Sequence, residues 1–405
     1  MNVFTYGREA CKYFADLYGK SEYGQFLRYD KLIRNFKKYF RLTSCHLISS
    51  PGRVEVIGNH TDHNGGKVIA CAVNLDTIGA FISNDSRRIR IKSDKHSLIE
   101  FCVDDEITLK RGFGLAHGVT EYLKNAGYAV GGFDVYTNSV LPSGAGVSSS
   151  ASFEMLVAEI INESFNDGRI PVEILARAGQ YAENVCLNKP CGLLDQGAVL
   201  SGGLTEFDFK NGFVAERLNS VSGGFKFVLV DTGFSHSNLS ELYASIPSDM
   251  RAVALNFGKD RLIDVDESAF RESYGSLCNI VGTDKTNRAL HFFDENSRVT
   301  RFALTLENGD VREITHLINA SGDSSINLLR NCAVDENDTA ILDAVNFART
   351  LGNVGARVHG GGFAGTVLCV IPDVSYNVVF GALCERYGAA NVLPMRVRSV
   401  GTVVL

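Results

Sequence analysis

The segment 141–152, which reads Leu-Pro-Ser-Gly-Ala-Gly-Val-Ser-Ser-Ser-Ala-Ser, constrains this chain more than any other. Gly144 and Gly146 favour a turn, three consecutive serines follow, and the apolar run 153–161 is typical of a buried helix. A glycine-rich loop that enters a helix presents unpaired N–H groups and the positive end of the helix dipole at one place. The segment therefore predicts an anion site, with a nucleotide polyphosphate as the expected anion and a serine hydroxyl as a candidate Mg²⁺ ligand. The alternative is an ordinary serine-capped helix start.

The length and net charge of the chain limit its domain organisation and its possible partners. A chain of 405 residues exceeds the usual single core, so two domains are expected. The polar, glycine-containing stretch 211–224 is the predicted boundary, which divides the chain into domains 1–222 and 223–405. The formal net charge of −6 argues against a nucleic-acid partner.

The cysteines and the apolar runs bear on the compartment. The ten cysteines form no metal-binding pattern, and most lie in apolar runs, as expected of buried free thiols in a reducing compartment. No apolar run approaches about 18 residues, and the N-terminus lacks a basic-then-apolar signal. These features predict a cytoplasmic protein without a membrane partner.

Apolar patterns predict the elements that carry the motifs. A strand is predicted over 46–58 with an interruption at Pro51 and Gly52, followed by strands over 67–73 and 78–82. One continuous helix is predicted over 172–187. In the second half, helices are predicted near 236–257, 268–280, 310–320 and 337–351.

A dense polar loop, Asn59-His-Thr-Asp-His-Asn-Gly-Gly66, lies between two predicted strands. Together with Arg53 it holds more polar groups than a plain turn requires, which favours a pocket that hydrogen-bonds several hydroxyls. The alternative is a hairpin loop that uses Asn-Gly turn chemistry at 64–65.

Two carboxylates and a second glycine loop are further candidates. From the residues alone, Glu183 is a partly exposed helix residue, and Asp195 is either a helix cap, the safer interpretation, or a functional group. The glycines at 360–362 and 365 predict either a tight turn or a backbone that approaches a bound ligand closely.

Four separated motifs resemble those of one kinase family. The segment 51–66, Pro-Gly-Arg-Val-Glu-Val-Ile-Gly-Asn-His-Thr-Asp-His-Asn-Gly-Gly, resembles the galactokinase signature. The segment 141–152 is similar to the ATP loop of the GHMP small-molecule kinases, and Arg-Val-His-Gly-Gly-Gly-Phe-Ala-Gly at 357–365 is similar to their third motif. Pro-Cys-Gly-Leu-Leu-Asp-Gln at 190–196 resembles the galactokinase segment that carries the catalytic aspartate. The motifs stand in the family's order.

The resemblance implies a fold and an activity. The fold would be the α/β (α+β) two-domain GHMP kinase fold, with a ribosomal-protein-S5-like N-terminal domain, a ferredoxin-like C-terminal domain and the active site in the cleft. The activity would be that of an ATP-dependent sugar 1-kinase of galactokinase type, with ATP as co-substrate and Mg²⁺ as cofactor. The partners would be a small-molecule sugar and ATP, and the chain would be a monomer or a weak homo-oligomer.

The resemblance also implies residue roles. Asp195 would be the catalytic residue beside Arg53, and would either accept the proton of the anomeric hydroxyl or only orient it. Ser150 and Glu183 would hold the metal. The sugar would be bound by Asn59, His60, Asp62, Gly192 and Tyr243. ATP would be bound by Ser143, Gly144, Ala145, Gly146, Val147, Ser148, Ser149 and Ser150.

One motif departs from the family pattern. Galactokinases usually read Gly-Glu-His-Thr-Asp-Tyr where this chain reads Gly58-Asn-His-Thr-Asp-His63, and in the family that glutamate contacts the sugar near its C6 hydroxyl. Neutral Asn59 removes a charge and adds a donor, so a kinase for a C6-altered sugar such as galacturonate is an alternative hypothesis. A non-catalytic sugar sensor is a third hypothesis, which the retained Arg53, Glu183 and Asp195 oppose.

Overall fold

The structure, a computed structural model, describes residues 8–19, 23–105, 113–142, 144, 146–189, 191–218, 224–233, 239–335, 337–363 and 365–405. Among these residues, twelve helices and twelve strands form two antiparallel-dominated sheets with helices packed on them. None of the described helices is both long enough and apolar enough to cross a bilayer.

The first sheet has eight strands among the described residues, in the order β12-β1-β2-β5-β3-β4, with β6 paired to β2 and β7 paired to β6. The bounds are β1 His46–Ile57, β2 Lys67–Asn84, β3 Arg88–Ser93, β4 Ile99–Cys102, β5 Gly132–Ser139, β6 Leu204–Asp208, β7 Val214–Arg217 and β12 Val403–Val404. The two strands predicted over 67–73 and 78–82 are one strand, β2. The polar residues between them do not break it, because buried Asp76 is neutralised by Arg28 and Arg398.

In the described part of the chain, six helices accompany this sheet: α1 Arg8–Tyr18, α2 Tyr23–Phe40, α3 Phe113–Asn125, α4 Ser149–Asn166, α5 Val172–Tyr181 and α6 Leu194–Ser201. Helix α4 is the central one, since Met155, Leu156 and Ile160 are fully buried in the core beneath the sheet. The single helix predicted over 172–187 is wrong in its last turn, because α5 continues as a π-helical turn, Ala182–Cys186. π-Helical turns are often found at functional sites.

The second sheet has the order β11-β8-β10-β9, with β8 Phe225–Asp231, β9 Gly355–Val358, β10 Thr366–Pro372 and β11 Val392–Met395. Its helices are α7 Ser240–Leu255, α8 Glu267–Ile280, α9 Thr283–Asn308, α10 Val311–Ser324, α11 Ala340–Thr350 and α12 Tyr376–Tyr387. The predicted helices at 236–257, 268–280, 310–320 and 337–351 correspond to α7, α8, α10 and α11. The longest helix, α9, was not predicted.

The two sheets share one apolar core. Val54 and Ile69 of the first sheet pack with Leu229 and Leu368 of the second, and α9 adds Val299, Phe302 and Leu306 to the same cluster. This shared core fixes how the sheets face one another and therefore where a cleft between them can open. The sheets change between β7 and β8, across residues 219–223, which lie outside the described part of the chain. The C-terminal strand β12 returns to the first sheet beside β1, so the division at 222/223 stays a prediction.

The shared core predicts the effect of truncating α9. Phe302→Ala removes a fully buried ring from the contact between the sheets, so we expect the free energy of unfolding to fall by about 3–5 kcal/mol. The matched control is Leu304→Ala on the same helix, where the side chain is 58% exposed and the loss should stay within about 0.5 kcal/mol. Urea unfolding of both variants measures the difference, and equal losses would contradict the role given to α9.

Candidate active site

The cleft holds a cavity of about 590 Å³. It is lined by residues from all four motifs that the sequence singled out: Arg53, Glu55, His60, Asp62, His63, Pro142, Gly144, Gly146, Val147, Ser148, Ser149, Ser150, Asn184, Lys189, Cys191, Gly192, Leu194, Asp195, Tyr243, Pro247, His359, Gly360, Gly361, Gly362 and Thr366. Segments far apart in the chain therefore converge on one place. Ser143 and Ala145, both predicted to bind ATP, lie outside the described residues.

Arg53 and Asp195 form the charged centre of the cavity. Arg53 lies on β1 and is 6% exposed, and its Nη2 lies 2.7 Å from Oδ1 of Asp195 in the first turn of α6. The Nε–H of Arg53 donates to the same oxygen at 2.8 Å. About a third of the Asp195 side chain, 32%, stays exposed. The carboxylate is thus held by Arg53 while it faces the cavity.

The pKa of Asp195 is lowered. Burial alone would raise it, but the charges of Arg53 and Lys189 and the hydroxyl of Ser148, which donates to Oδ2, outweigh that effect. Asp195 is therefore ionised at neutral pH, as a group that accepts or orients a proton must be. The cap interpretation of Asp195 is not needed, because its two oxygens are engaged by Arg53 and Ser148.

The glycine-rich loop enters α4 in a form that differs from the expected serine cap. Ser148 precedes the helix with φ of 56°, in the left-handed region, and its side chain does not cap the helix but donates to Asp195. Gly144 and Gly146 also have positive φ, 87° and 68°. The first N–H groups of a helix have no intrahelical partner, so the start of α4 faces the cavity as an anion site. Arg53 fixes this loop by donating to the carbonyl of Gly146.

The polar loop forms the opposite end of the cavity. Asp62 begins a short 3₁₀ turn, Asp62–Asn64, and burial together with the carboxylates of Glu55 and Asp195 raises its pKa to about 7. Gly192 packs directly on it, since a Cβ there would lie 1.7 Å from Oδ2 of Asp62. Only glycine fits at 192 without moving that carboxylate. Tyr243 of α7 closes the same end and donates to the carbonyl of Gly362 at 2.8 Å.

Two histidines join this loop to the glycine loop after β9. His60 Nε2 lies 2.9 Å from the carbonyl of Gly361, so this nitrogen must carry the hydrogen. Neutral His60 then accepts at Nδ1 from Nε2 of His63, 3.2 Å away, and His63 accepts at Nδ1 from the Asn64 amide. Burial lowers the pKa of His60 to about 4 and that of His63 well below its ordinary value. Both rings are therefore neutral at pH 7.

The side chain of Asn59 does not face the cavity. Asn59 was predicted to contact the sugar, but its side chain is fully buried and lies outside the cavity lining. Its Nδ2 donates to Glu55 Oε1 and to the carbonyl of Gly360, and its Oδ1 accepts from Asn331 at 2.8 Å. The side chain is turned into the protein because these interior partners satisfy it. The cavity instead presents Glu55, which sequence reasoning missed. The available signal was the spacing of Arg53 and Glu55, two residues apart on a strand and so on one face.

Of the two predicted metal ligands, one lines the cavity and the other does not. Ser150 lines the cavity in the first turn of α4, whereas Glu183 lies in the π-helical turn, buried and outside the cavity lining. Glu183 Oε2 lies 2.6 Å from Nζ of Lys189. The neighbouring Glu154 has a strongly raised pKa because of burial and the Glu183 carboxylate. Among the described residues, no three His, Cys, Asp or Glu side chains form a metal cluster.

Two family models match segments of this chain. A family model described as the galactokinase galactose-binding signature matches residues 34–82, and one for the GHMP kinases N terminal domain matches residues 109–203. The chain is 30% identical over 373 residues to a galactokinase from Clostridium tetani, covering 88% of this chain and 92% of that protein. The chain belongs to the galactokinase family.

A second curated relative is similar in sequence, and two solved structures are similar in fold. A galactokinase from Limosilactobacillus fermentum is 29% identical over 84% of this chain and 89% of its own length. The crystal structure of Lactococcus lactis galactokinase complexed with galactose superposes with a TM-score of 0.81 at 22% identity, covering 93% of this chain and 100% of that one. Methanococcus jannaschii mevalonate kinase gives a TM-score of 0.62 at 14% identity over 87% of this chain and 98% of its own. The predicted α/β GHMP kinase fold is confirmed.

The neutral histidines predict a pH effect on stability. The pKa of His60 is about 4 in the folded protein against about 6.5 when unfolded, so unfolding takes up a proton as the pH falls. The contribution of His60 is present above pH 6.5 and is lost between about pH 6.5 and 4, by at most about 3 kcal/mol. Asp62, with its raised pKa, acts in the opposite direction, so the wild-type curve alone does not isolate His60.

Two variants isolate the contribution of His60 to the free energy of unfolding. The wild-type advantage over His60→Asn should be largest above pH 6.5 and should shrink towards pH 5 in urea unfolding. His96→Asn, at an exposed position, should show no such trend. A constant difference between wild type and His60→Asn across this range would show that His60 does not stay neutral in the fold.

Proposed function

We propose that this chain is an ATP-dependent sugar 1-kinase that transfers the γ-phosphate of ATP to the anomeric C1 hydroxyl of galactose. The observation that carries the proposal is the Arg53–Asp195 pair, which faces a cavity between an anion-binding helix start and a loop rich in hydroxyl-binding groups. The galactokinases among the relatives support galactose as the sugar. We also propose a cytoplasmic location and a monomeric or weakly oligomeric state.

The nucleotide end of the cavity suits phosphates. The loop from Gly144 to Ser150, with Ser143 and Ala145 as predicted members, would direct N–H groups and serine hydroxyls at the ATP phosphates. Phosphoryl transfer depends mainly on positioning and on stabilisation of developing charge. Arg53 contributes to positioning and to charge stabilisation. It donates to the carbonyl of Gly146 in the glycine-rich loop and to Asp195, which would contact the sugar.

The sugar end suits a neutral polyhydroxyl compound. Asp62 and Tyr243 would bind and orient the hydroxyls, with Gly192 as the packing residue and His60 positioning the loop through Gly361. Asp195 would accept the C1 hydroxyl proton or orient that hydroxyl towards the phosphate. Galacturonate is not retained as a second candidate, because the argument for it depended on Asn59 at the sugar. Asp195, which is ionised, and Asp62, which is partly ionised because its pKa is about 7, also line the cavity and would repel a uronate.

The residues fit Mg²⁺ as a cation that arrives with the nucleotide. Ser150 and Glu183 are oxygen donors of the kind Mg²⁺ prefers, and Mg²⁺ commonly takes one or two protein ligands besides phosphate and water. Glu183 is held by Lys189, and its neighbour Glu154 is neutral because its pKa is strongly raised, so Mg²⁺ would take Glu183 as a ligand by displacing Lys189. Bound there, Mg²⁺ would neutralise charge on the phosphates.

A substrate panel tests the proposal directly. ADP release with ATP and Mg²⁺ is measured against galactose, galacturonate, N-acetylgalactosamine, glucose and arabinose. We expect rapid turnover of galactose and slow turnover of galacturonate. Turnover of another sugar alone would refute galactose, and ATP binding without turnover of any sugar would favour the sensor hypothesis.

Removing the Asp195 carboxylate should nearly abolish turnover. We expect Asp195→Ala to lower kcat by about 10²–10⁴-fold, because proton acceptance and orientation at C1 are lost together, while ATP affinity changes little. Asp85→Asn, at an exposed position, is the control and should keep wild-type kcat. An Asp195→Ala enzyme within tenfold of wild type would contradict the role of Asp195.

Gly192→Ala tests the sugar end. Its Cβ must displace the Asp62 carboxylate, so we expect the KM for galactose to rise at least tenfold with little change in the KM for ATP. Gly275→Ala on α8 adds a Cβ where nothing lies within 4 Å and serves as the control. An unchanged KM for galactose in Gly192→Ala would show that Asp62 takes no part in sugar binding.

A further inference from the structure

One wall of the cavity carries two buried polar atoms that the roles above do not use. His359 directly follows β9 and is 4% exposed, and Thr366 begins β10 and is 2% exposed. Both line the cavity. Neither Nδ1 of His359 nor Oγ1 of Thr366 has a hydrogen-bond partner among the described residues. Buried polar atoms are rarely left unpaired, so each requires an explanation.

The tautomer of His359 is set by the backbone. The N–H of Glu55 donates to Nε2 of His359 at 3.2 Å, so Nε2 is the acceptor and the hydrogen of the neutral ring is on Nδ1. Burial and the charges of Arg53 and Arg357 lower the pKa of His359 well below its ordinary value, so the ring stays neutral. Nδ1–H is therefore a fixed donor over the physiological pH range.

The position of this donor identifies what it would bind. A Cβ placed on Gly146 would lie 3.1 Å from Nδ1 of His359, so the donor lies against the glycine-rich loop. Arg53, which reaches from that loop to Asp195, and Arg357 are the charges that act on the ring. The main-chain N–H of His359 is already bound to the carbonyl of Thr366 at 2.9 Å, which holds the two side chains on one wall. A neutral donor in a positive field suits an anionic oxygen.

We propose that His359 Nδ1–H, with the Thr366 hydroxyl beside it, binds an oxygen of the phosphoryl group as it passes from ATP to the sugar. The inference rests on the proposed function and deepens it by adding a residue from the third motif to the reaction centre. No proton moves to or from His359. The ring supplies a hydrogen bond that is already oriented, and such donors stabilise developing charge without reorganisation.

Two substitutions separate this role from a structural one. The amide of Gln lies where Nε2 lies in histidine, so His359→Gln keeps an acceptor for the Glu55 N–H and loses the donor at Nδ1. The amide of Asn lies near Nδ1, so His359→Asn keeps that donor and loses the backbone acceptor. We expect kcat for galactose to fall about ten- to a hundredfold in His359→Gln and to stay within about threefold of wild type in His359→Asn. A structural role predicts the reverse order, with His359→Asn the more impaired.

Binding measurements show whether Nδ1–H of His359 donates to a phosphoryl oxygen or to a sugar hydroxyl. By calorimetry, His359→Gln should lose at least tenfold in affinity for galactose 1-phosphate and stay within twofold for galactose. Equal losses for the two compounds would place the donor on a sugar hydroxyl, and no loss for either would remove it from the site; both results overturn the proposal. If His359→Gln does not fold, ¹⁵N spectra of the wild-type histidine rings give the same test, since one Nδ1–H resonance should shift with galactose 1-phosphate and not with galactose.

Turnover by the wild-type protein distinguishes failure of the proposed function from failure of the role given to His359. If wild-type protein does not phosphorylate galactose, the proposed function fails, whatever the variants do. If wild type turns over galactose and His359→Gln matches it in kcat and in product affinity, the assignment of His359 alone fails.

Discussion

A buried ion pair between Arg357 and Glu55 holds the two sheets in the arrangement on which the site depends. Arg357, on β9 of the second sheet, is fully buried, and its Nη2 lies 2.7 Å from Oε1 of Glu55 on β1 of the first sheet. Its Nη1 donates to the carbonyl of Val56 at 3.0 Å. Breaking such a pair from one side leaves a buried charge, which costs about 3–5 kcal/mol. Because β1 also carries Arg53, and β9 leads into His359, this contact sets the distance across the reaction centre.

A second set of buried polar groups links the same contact to the polar loop 59–66. Glu295 of α9 accepts from the N–H groups of Gly58 and Asn59 at 2.9 and 3.2 Å, and Arg298 and Ser321 bind the same carboxylate. Although burial opposes it, the charges around Glu295, led by Arg298, lower its pKa to about 2. Asn59 completes the set by joining Glu55, Gly360 and Asn331. The asparagine that departs from the family pattern therefore lies in the contact between the sheets, whereas Glu55, to which it donates, lines the cavity.

The sequence predicts a feature when local residue types determine it, and fails when the feature depends on contacts between distant segments. The loop around Gly144 and Gly146 was found because positive φ and a helix start depend on local residue types. Helix α9 was missed because its buried side includes Thr286, His291 and Glu295, which hide the 3.6-residue apolar period. His359 shows its importance only through an unpaired nitrogen, a property of distant neighbours. The pairing of Arg53 with Asp195 is also non-local, and only the family resemblance brought them together.

The balance of charge in the cavity decides which substrate it suits. Glu55, Asp62 and Asp195 all line it. Burial, with the repulsion from Glu55 and Asp195, raises the pKa of Asp62 to about 7, while Arg53 keeps Asp195 ionised. A neutral sugar adds hydroxyl donors that these oxygens can accept and brings no new charge, so it relieves the repulsion. An anionic sugar would increase it. The start of α4, Arg53 and Lys189 also line the cavity and would meet the negative charge of the nucleotide. The cavity thus separates a carboxylate-lined end, suited to a neutral polyol, from a cationic end suited to phosphate, and Asp195 lies where the two meet.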